Sequence, residues 1–457
     1  PLNDVKLSEH VGDFTTDGAR NTPNDSNDIH SAFAWDAGDR AYLVATDDDE
    51  AIDVDIFDIT DPRKPTLVSE TDLNRYGIAQ PALGLDESFL HDMVVKQIGS
   101  RFIMLLSYWD GGYVLLDVTN PAAPIFLGDS DYAAVDPELR AQTGIVLTPE
   151  GNGHQGEFTL DNKYAITTDE DFGPFRLLLT TVDGTFRAGA GTQTTIAQVE
   201  AINGTTVFVG RGCSVDPAVP PAPNAGTSQI AVVERGLCTF EEKARNVIAA
   251  GGWEAMLIMN REGADACTGV FAPFLSAQIP TIFVGRDTGF AMFDRTYDDA
   301  ACRDSSFQRA PITIGTFGDP IQNVGTQFDG WGYVHLFGVN LGATSATLTE
   351  LDTFAIPEAM DPAYASGFGA LSVHEVATDK TDASRAYLSY YAGGIRALQI
   401  TCQRPKDPST CRLVETGGYL DPNGNEFWGI ETFVREGVTY IAGSDLDFGV
   451  FIVKRKP

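Results

Sequence analysis

His30, His91, His154 and His374 are four of only six histidines in the chain, and the spacings from His30 to His91 and from His91 to His154 are 61 and 63 residues. Neutral imidazole is a strong ligand for zinc, copper, iron or nickel, at about 2.0–2.1 Å. Four imidazoles recurring at one structural position therefore read as a ligand set for one transition metal, Fe, Cu or Zn. Ligand histidines need a partner on the second ring nitrogen, and Asp92, Glu157, Glu375 and Glu431 stand close enough in sequence to serve. The competing reading is that each ring belongs to a polar network within its own repeat. Further acids form an expected rim: Asp47, Asp48, Asp49, Asp110, Asp169, Glu170, Asp171, Asp445 and Asp447. Oxygen ligands of this kind can take Ca²⁺, although the run DDDE lacks the spacing of a calcium loop. No residue stands out as a catalytic acid or base, and HExxH and GxSxG are absent.

The elements that must position these histidines are short strands. Residues 40–68, 101–128 and 385–414 each read as strand, acidic or glycine-rich turn, strand, proline-rich turn, strand, with a histidine segment before each (DIHSAFAW, FLHDMVVK, SVHEVATD). Four strands per repeat make a β-propeller blade. The first strand of a blade lines the central channel, so the imidazoles are expected to point to the axis, on the face that carries the turns between second and third strands. A fifth blade follows as IETFV, TYIAGSDLDFG and GVFIVKRK, with Ile430 or Glu431 at the histidine's place. It lacks a fourth strand, which VKLSEHVG at residues 5–12 would supply, closing the ring with strands from both termini. The expected fold is mainly β: five blades, or six if one is too degenerate to read. Trp109, Trp331 and Trp428 read as blade packing, and His10 and His335 fall outside the repeat.

IFDITDPRKPTLV and LLDVTNPAAPIFLG resemble the LVIVD repeat of bacterial and archaeal β-propeller proteins. The resemblance implies a surface or secreted propeller and leaves its activity open. His154 and His374 are 220 residues apart, so one blade carries an insertion of about 158 residues. The expected organisation is residues 1–173 for the first part of the propeller, 174–328 for a domain inserted in the third blade, and 329–457 for the second part. Within the insertion, QIAVV and EAMLIMN read as strands around a helix. Thr239 and Glu242 form a capping box, Phe240, Ala244, Val247 and Ile248 fall at helical spacing, and Gly251–Gly252 end the helix. VERGLCTFEEKARNVIAAGG with IPTIFV resembles the protease-associated (PA) domain, a non-catalytic α/β lid, docking or substrate-recognition module. That resemblance implies a Cys213–Cys238 disulfide and leaves Cys267 with Cys302, while Cys402 and Cys411 flank the short loop QRPKDPST and would staple it.

Six cysteines with no CxxC pair read as three disulfides in an oxidising compartment, which places the protein in the secreted, periplasmic or cell-surface class. The formal net charge is −33. Such an excess disfavours nucleic acid and anionic membranes and favours cations or cationic ligands. No apolar run is long enough to span a bilayer, so no membrane insertion is expected. The functional expectation is a metalloprotein, with oxidoreductase chemistry at the histidines and the PA domain as lid or docking module. The alternative is a non-catalytic extracellular binding or assembly protein. Expected partners are a small molecule, peptide or glycan, or further copies of the chain.

Overall fold

A computed structural model describes residues 29–47, 54–85, 87–224, 227–263, 266–304 and 309–455. Five small antiparallel sheets stand in a ring. Blade one comprises strands Ile29–Asp36, Ala41–Asp47, Asp55–Asp58 and Thr66–Ser69. Blade two comprises Asp92–Ile98, Arg101–Ser107, Tyr113–Asp117 and Ile125–Asp129. Blade three joins Gly153–Phe158 and Tyr164–Asp169 to Val334–Leu341 and Ala346–Phe354, so the long insertion interrupts it between second and third strands. Blade four comprises Val376–Thr378, Arg385–Ser389, Ile395–Cys402 and Cys411–Tyr419. Blade five shows three strands among the described residues, Phe427–Arg435, Val438–Asp445 and Gly449–Lys454. The segment expected to complete it, residues 5–12, lies outside the described residues.

Strand alternation explains why the blades read as near-continuous apolar runs. In Arg101–Ser107, Met104 and Leu106 face the core shared with blade one, which holds Trp35, Val44 and Ile56. Ile103 and Leu105 face the core shared with blade three, which holds Phe337 and Leu348. A strand packed on both faces has no solvated side on which to place polar residues. Equivalent layers join blades three and four through Val334, Leu388 and Leu398, and blades four and five through Tyr387, Phe427 and Ile441.

The chain divides into two compact units, residues 1–80, 88–172 and 330–457 in one and 81–87 with 173–329 in the other. In the second unit, strands Gly204–Phe208, Gln229–Glu234, Ala255–Met259 and Thr281–Val284 run parallel at the centre of an eight-stranded sheet. Ile230 and Val232 enter the core on one face of that sheet, and Ala231 and Val233 the core on the other. The helix Phe240–Ala250 is capped by Thr239, whose hydroxyl accepts from the Glu242 N–H at 3.2 Å, and ends at Gly251, whose φ of 83° favours glycine. The expected reciprocal arm of that cap is absent: the Glu242 carboxylate instead accepts from the Ser214 N–H at 2.7 Å. A complete capping box occurs at Thr195 and Gln198 instead. Ile248, placed by its spacing on the buried face, is 46% exposed. Disulfides join Cys213 to Cys238, Cys267 to Cys302 and Cys402 to Cys411.

Close packing of neighbouring blades is most exacting at Gly128, where an added Cβ would lie 2.4 Å from the Ala346 carbonyl oxygen, on a backbone at φ +156°. Gly128→Ala must push blades two and three apart. It is expected to lower stability by roughly 1–3 kcal/mol, read as a fall in melting temperature; an unchanged melting temperature would contradict the packing described.

Candidate functional site

The innermost strands begin with a row of aromatic rings. Ring centroids of His30 and His91 are 4.4 Å apart, of His91 and His154 4.3 Å, of His154 and His374 4.1 Å, and of His374 and Trp428 4.7 Å. The register explains the membership. The residue after His30, His374 and Trp428 donates its backbone N–H to a hydroxyl on the second strand: Ser31 to Thr46, Glu375 to Ser389 and Gly429 to Ser444. Trp428 therefore holds the fifth blade's place, correcting the expectation of Ile430 or Glu431. Its ring lies against His374 and is 43% exposed, so it is not the blade packing expected of it. His30, His154 and Trp428 each sit where the strand register shifts by a bulge. A bulge re-aims a side chain that regular alternation would send elsewhere.

His91 and His374 are each oriented by the blade that follows. His91 Nδ1 lies 3.2 Å from the His154 carbonyl oxygen, and His374 Nδ1 lies 2.8 Å from the Trp428 carbonyl oxygen. A carbonyl only accepts, so both rings carry their proton on Nδ1 and leave Nε2 with a free lone pair. The Trp428 carbonyl is also pinned from the second strand of blade four, where the Ser389 hydroxyl donates to it at 2.5 Å, and the Thr168 hydroxyl of blade three donates to His374 O at 2.6 Å. His154 Nδ1 is buried with no hydrogen-bond partner within reach among the described residues. Burial, with repulsion from His30, pushes His91 down to about 4. Burial also pushes His374 down to about 3, against the Trp428 carbonyl and helped by His91 and His30. His154 falls well below its ordinary value through burial and through His374 and His91. These three imidazoles are neutral at pH 7, the form that binds metals.

A second layer covers the row, built from the turns after the second strands. Trp109, Glu170 and Tyr391 hold matching positions in SYWDGG, TDEDFG and SYYAGG. Trp109 and Tyr391 have φ of 47° and 38°, a left-handed conformation that is costly for an aromatic residue. It leans Trp109 toward His91 and Tyr391 toward His374, both at 5.1 Å. Glu170 is buried in the corresponding place, with Oε2 3.4 Å from His154 Nε2 and Oε1 3.9 Å from His374 Nε2. The Tyr391 hydroxyl donates a short hydrogen bond to Glu170 Oε1. Burial raises the Glu170 carboxyl and that hydroxyl holds it back. One donor atom from each of His154, His374 and Glu170 lies within 4.8 Å of the others.

The remaining expected residues take other roles. Next-blade carbonyls meet Nδ1 of His91 and His374, and of the carboxylates expected on the second ring nitrogens Glu375 stands closest to its ring, with Oε1 4.0 Å from His374 Nδ1. Asp92 accepts from Met93 N at 2.6 Å, Glu157 from the Thr378 hydroxyl at 2.7 Å, Glu375 from Ile430 N at 3.0 Å, and Glu431 from Thr432 N at 2.6 Å. Burial, then repulsion from Glu375 and Glu157, raises Asp92 to about 7, and burial with Glu431 and Glu157 raises Glu375 to about 7. Of the acidic rim, Asp110, Asp169, Glu170 and Asp445 are buried; Asp445 serves its own turn, accepting from the Glu426, Asp447 and Phe448 N–H groups. The Asp171 N–H donates to the Ser372 hydroxyl. Asp48 and Asp49 lie outside the described residues, and Asp47 ends a strand.

His335, which sequence placed outside the repeat, is the site's buried anchor. Its ring is 1% exposed, with Nε2 2.8 Å from Asp169 and Nδ1 2.7 Å from Glu350. Asp169 also accepts from the Tyr113 and Tyr132 hydroxyls at 2.6 and 3.1 Å. Asp169 directly precedes Glu170, so this network holds the turn that carries the acid. The available signal was a lone histidine inside the apolar strand VHLFGV.

The PA domain family matches residues 200–292. No curated protein matches the chain. Among solved structures, a zinc aminopeptidase from Bacillus subtilis aligns at 17% identity over 40% of this chain and 37% of its own, with a TM-score of 0.24. The chain thus spans little more than a third of that enzyme. A 6-phosphogluconolactonase, so named provisionally, from Bacteroides uniformis aligns at 12% identity over 93% and 80% of the two chains, with a TM-score of 0.29. The Cps50 (Swd1) β-propeller domain from Myceliophteria thermophila aligns at 11% identity over 94% and 83%, with a TM-score of 0.28.

The His335 pair gives a pH dependence. Burial works against its charge, but Asp169 and Glu350 raise it from 6.5 to about 10. A raised folded-state value means the stabilisation is complete below pH 6.5 and is lost as pH rises through about 10. Between those limits the native state binds the extra proton, so melting temperature is expected to decline. His335→Gln should cost roughly 3–5 kcal/mol at neutral pH and flatten the decline; an unchanged pH slope in that variant would contradict the charged pair.

Proposed function

We propose that the mouth of the propeller is a transition-metal centre in a secreted or cell-surface protein of the LVIVD-repeat kind. His154, His374 and Glu170 are the core of the donor set, and His91 and His30 extend it along the row. The observation that carries this reading is a convergence: Nε2 of His154 and Nε2 of His374 both stand beside the buried Glu170 carboxylate, and His374 is held at Nδ1 by the Trp428 carbonyl of the next blade. A buried, neutral histidine row with an uncompensated acid gains most from a cation that all of them can share. The donor set of two or more imidazoles and one carboxylate suits Fe, Zn or Cu. Such a metal would supply Lewis acidity or electron transfer toward water or dioxygen at an open position. The chain's own part is to hold the ligands, with Tyr391 orienting Glu170 and Trp109 and Tyr391 limiting solvent over the rings. This reading replaces a set of four histidines alone, because Glu170 stands nearer to His154 and His374 than any sequence pattern indicated. The three disulfides accord with an oxidising compartment. No helix among the described residues is long and apolar enough to cross a membrane.

A second role, docking of a protein or glycan, is favoured by the PA domain match and belongs to that unit. It is compatible with metal binding at the propeller.

Elemental analysis of protein purified without chelator is expected to find about one Fe, Cu or Zn per chain. His154→Ala combined with His374→Ala should abolish retention, and Tyr391→Phe should weaken affinity by roughly 10–100-fold, as loss of a ligand-orienting partner does. Well under one equivalent of any transition metal, even after reconstitution, would overturn the metal reading.

A further inference from the structure

The disulfides differ in what surrounds their sulfurs. Cys267 and Cys302 are both buried, so neither end of that bridge faces solvent. The Cys213–Cys238 bridge is asymmetric. Cys213 is 2% exposed, whereas Cys238 is only half-buried, in the turn between strand Gln229–Glu234 and helix Phe240–Ala250. Its neighbour Leu237 is exposed.

A lysine stands against the hidden sulfur. Lys243, near the start of that helix, is completely buried, a rare position for lysine. Its Nζ donates to the Arg211 carbonyl at 2.8 Å and the Gly236 carbonyl at 2.9 Å, and lies 3.4 Å from Cys213 Sγ. An ammonium has three protons to donate, and these acceptors take them. The third is weak, because a disulfide sulfur carries no charge. Lys243 forms no ion pair among the described residues; Glu234, Asp216 and Glu242 act on it from further away. Burial, then repulsion from Arg211, pushes the ammonium down to about 8. It is therefore mostly charged at neutral pH and short of a counter-charge, which a thiolate at Cys213 would supply.

We propose that Cys213–Cys238 is a thiol–disulfide exchange site for a small thiol, which attacks Cys238 and releases Cys213 as a thiolate paired with Lys243. The attacking thiol loses its proton to water and forms a bond to Cys238 Sγ. The Cys213–Cys238 bond breaks, and its electron pair stays on Cys213. The attacker is oxidised to a mixed disulfide as Cys213 is reduced, so no further oxidant enters. Exchange is fastest when the leaving sulfur is the better-stabilised thiolate. Cys238 precedes the helix cap Thr239, and a helix N-terminus also favours a thiolate. That partial charge, in a half-exposed turn, is weaker than a full charge 3.4 Å away in the interior. After opening, the Ser214 N–H bond to Glu242 and the Asn246 amide bond to the Gly212 carbonyl at 2.8 Å still tie the Cys213 loop to the helix. The thiolate thus stays beside its lysine, positioned to reverse the reaction. The site belongs to the PA unit and is independent of the metal reading.

The test treats full-length protein with 2-mercaptoethanol at neutral pH, alkylates free thiols with iodoacetamide in an acid-quenched series, and maps the peptides by mass spectrometry. The mixed disulfide is expected on Cys238 with the alkyl group on Cys213, and this bridge should open at least about tenfold faster than Cys267–Cys302. In fully opened protein, alkylation of Cys213 should reach half its maximal rate well below the ordinary thiol value of about 8.5. Lys243→Met should slow opening about tenfold and return that midpoint to the ordinary range or above. The regiochemistry is read on the unaltered protein, so it stands even where the variant folds poorly. The mixed disulfide on Cys213 or shared equally, a bridge that stays closed while Cys267–Cys302 opens, or an ordinary midpoint for Cys213 would each overturn the inference, as would an unchanged rate in a folded Lys243→Met variant.

Discussion

An imidazole that donates Nδ1–H to the next blade's carbonyl has its other nitrogen aimed by the backbone. That bond ties ring orientation to blade-on-blade packing. His91 leans on the His154 carbonyl and His374 on the Trp428 carbonyl, while Ser389 fixes the Trp428 oxygen from the second strand. Burial then keeps the rings neutral, since a charged ring would lose its hydration beside other histidines. The mouth is therefore a property of the ring of blades, and any change that separates blades should disturb it.

Strain and buried charge cluster around the same mouth. Trp109 and Tyr391 adopt positive φ to lean over the histidines. Glu170 is taken out of water beside them, with one hydroxyl for company. One residue back, Asp169 is paired with His335 and two tyrosines. Arrangements of this kind cost free energy and persist only where surrounding structure over-determines them. Here the over-determination comes from the apolar layers between consecutive blades.

Much of the fold was legible because its code is local. Alternating strands, acidic or glycine turns and a near-constant histidine spacing are set within each repeat, and the strand–helix–strand pattern of QIAVV, the following helix and EAMLIMN is equally local. The site was legible only where it repeated. Trp428 was misplaced because a bulge between Phe427 and Gly429 shifts the frame, and a count of residues along the strand lands on Ile430. Glu170 read as a solvent-facing acid because its partners, His154, His374 and Tyr391, come from other turns and another blade. His335 was passed over since its charge depends on Glu350 across the sheet and Asp169 beside it. The backbone partners of the rings were hidden for a related reason: the carbonyls of the next blade, invisible in composition, meet Nδ1 of His91 and His374, with Glu375 4.0 Å from the latter nitrogen.

The most direct measurement is a crystallographic anomalous-difference map of native protein collected across the absorption edges of iron, copper and zinc. The proposed centre requires one peak at the mouth, about 2.0–2.2 Å from Nε2 of His154, Nε2 of His374 and a Glu170 oxygen. A map with no peak there, and with those Nε2 atoms hydrogen-bonded to water, would contradict it.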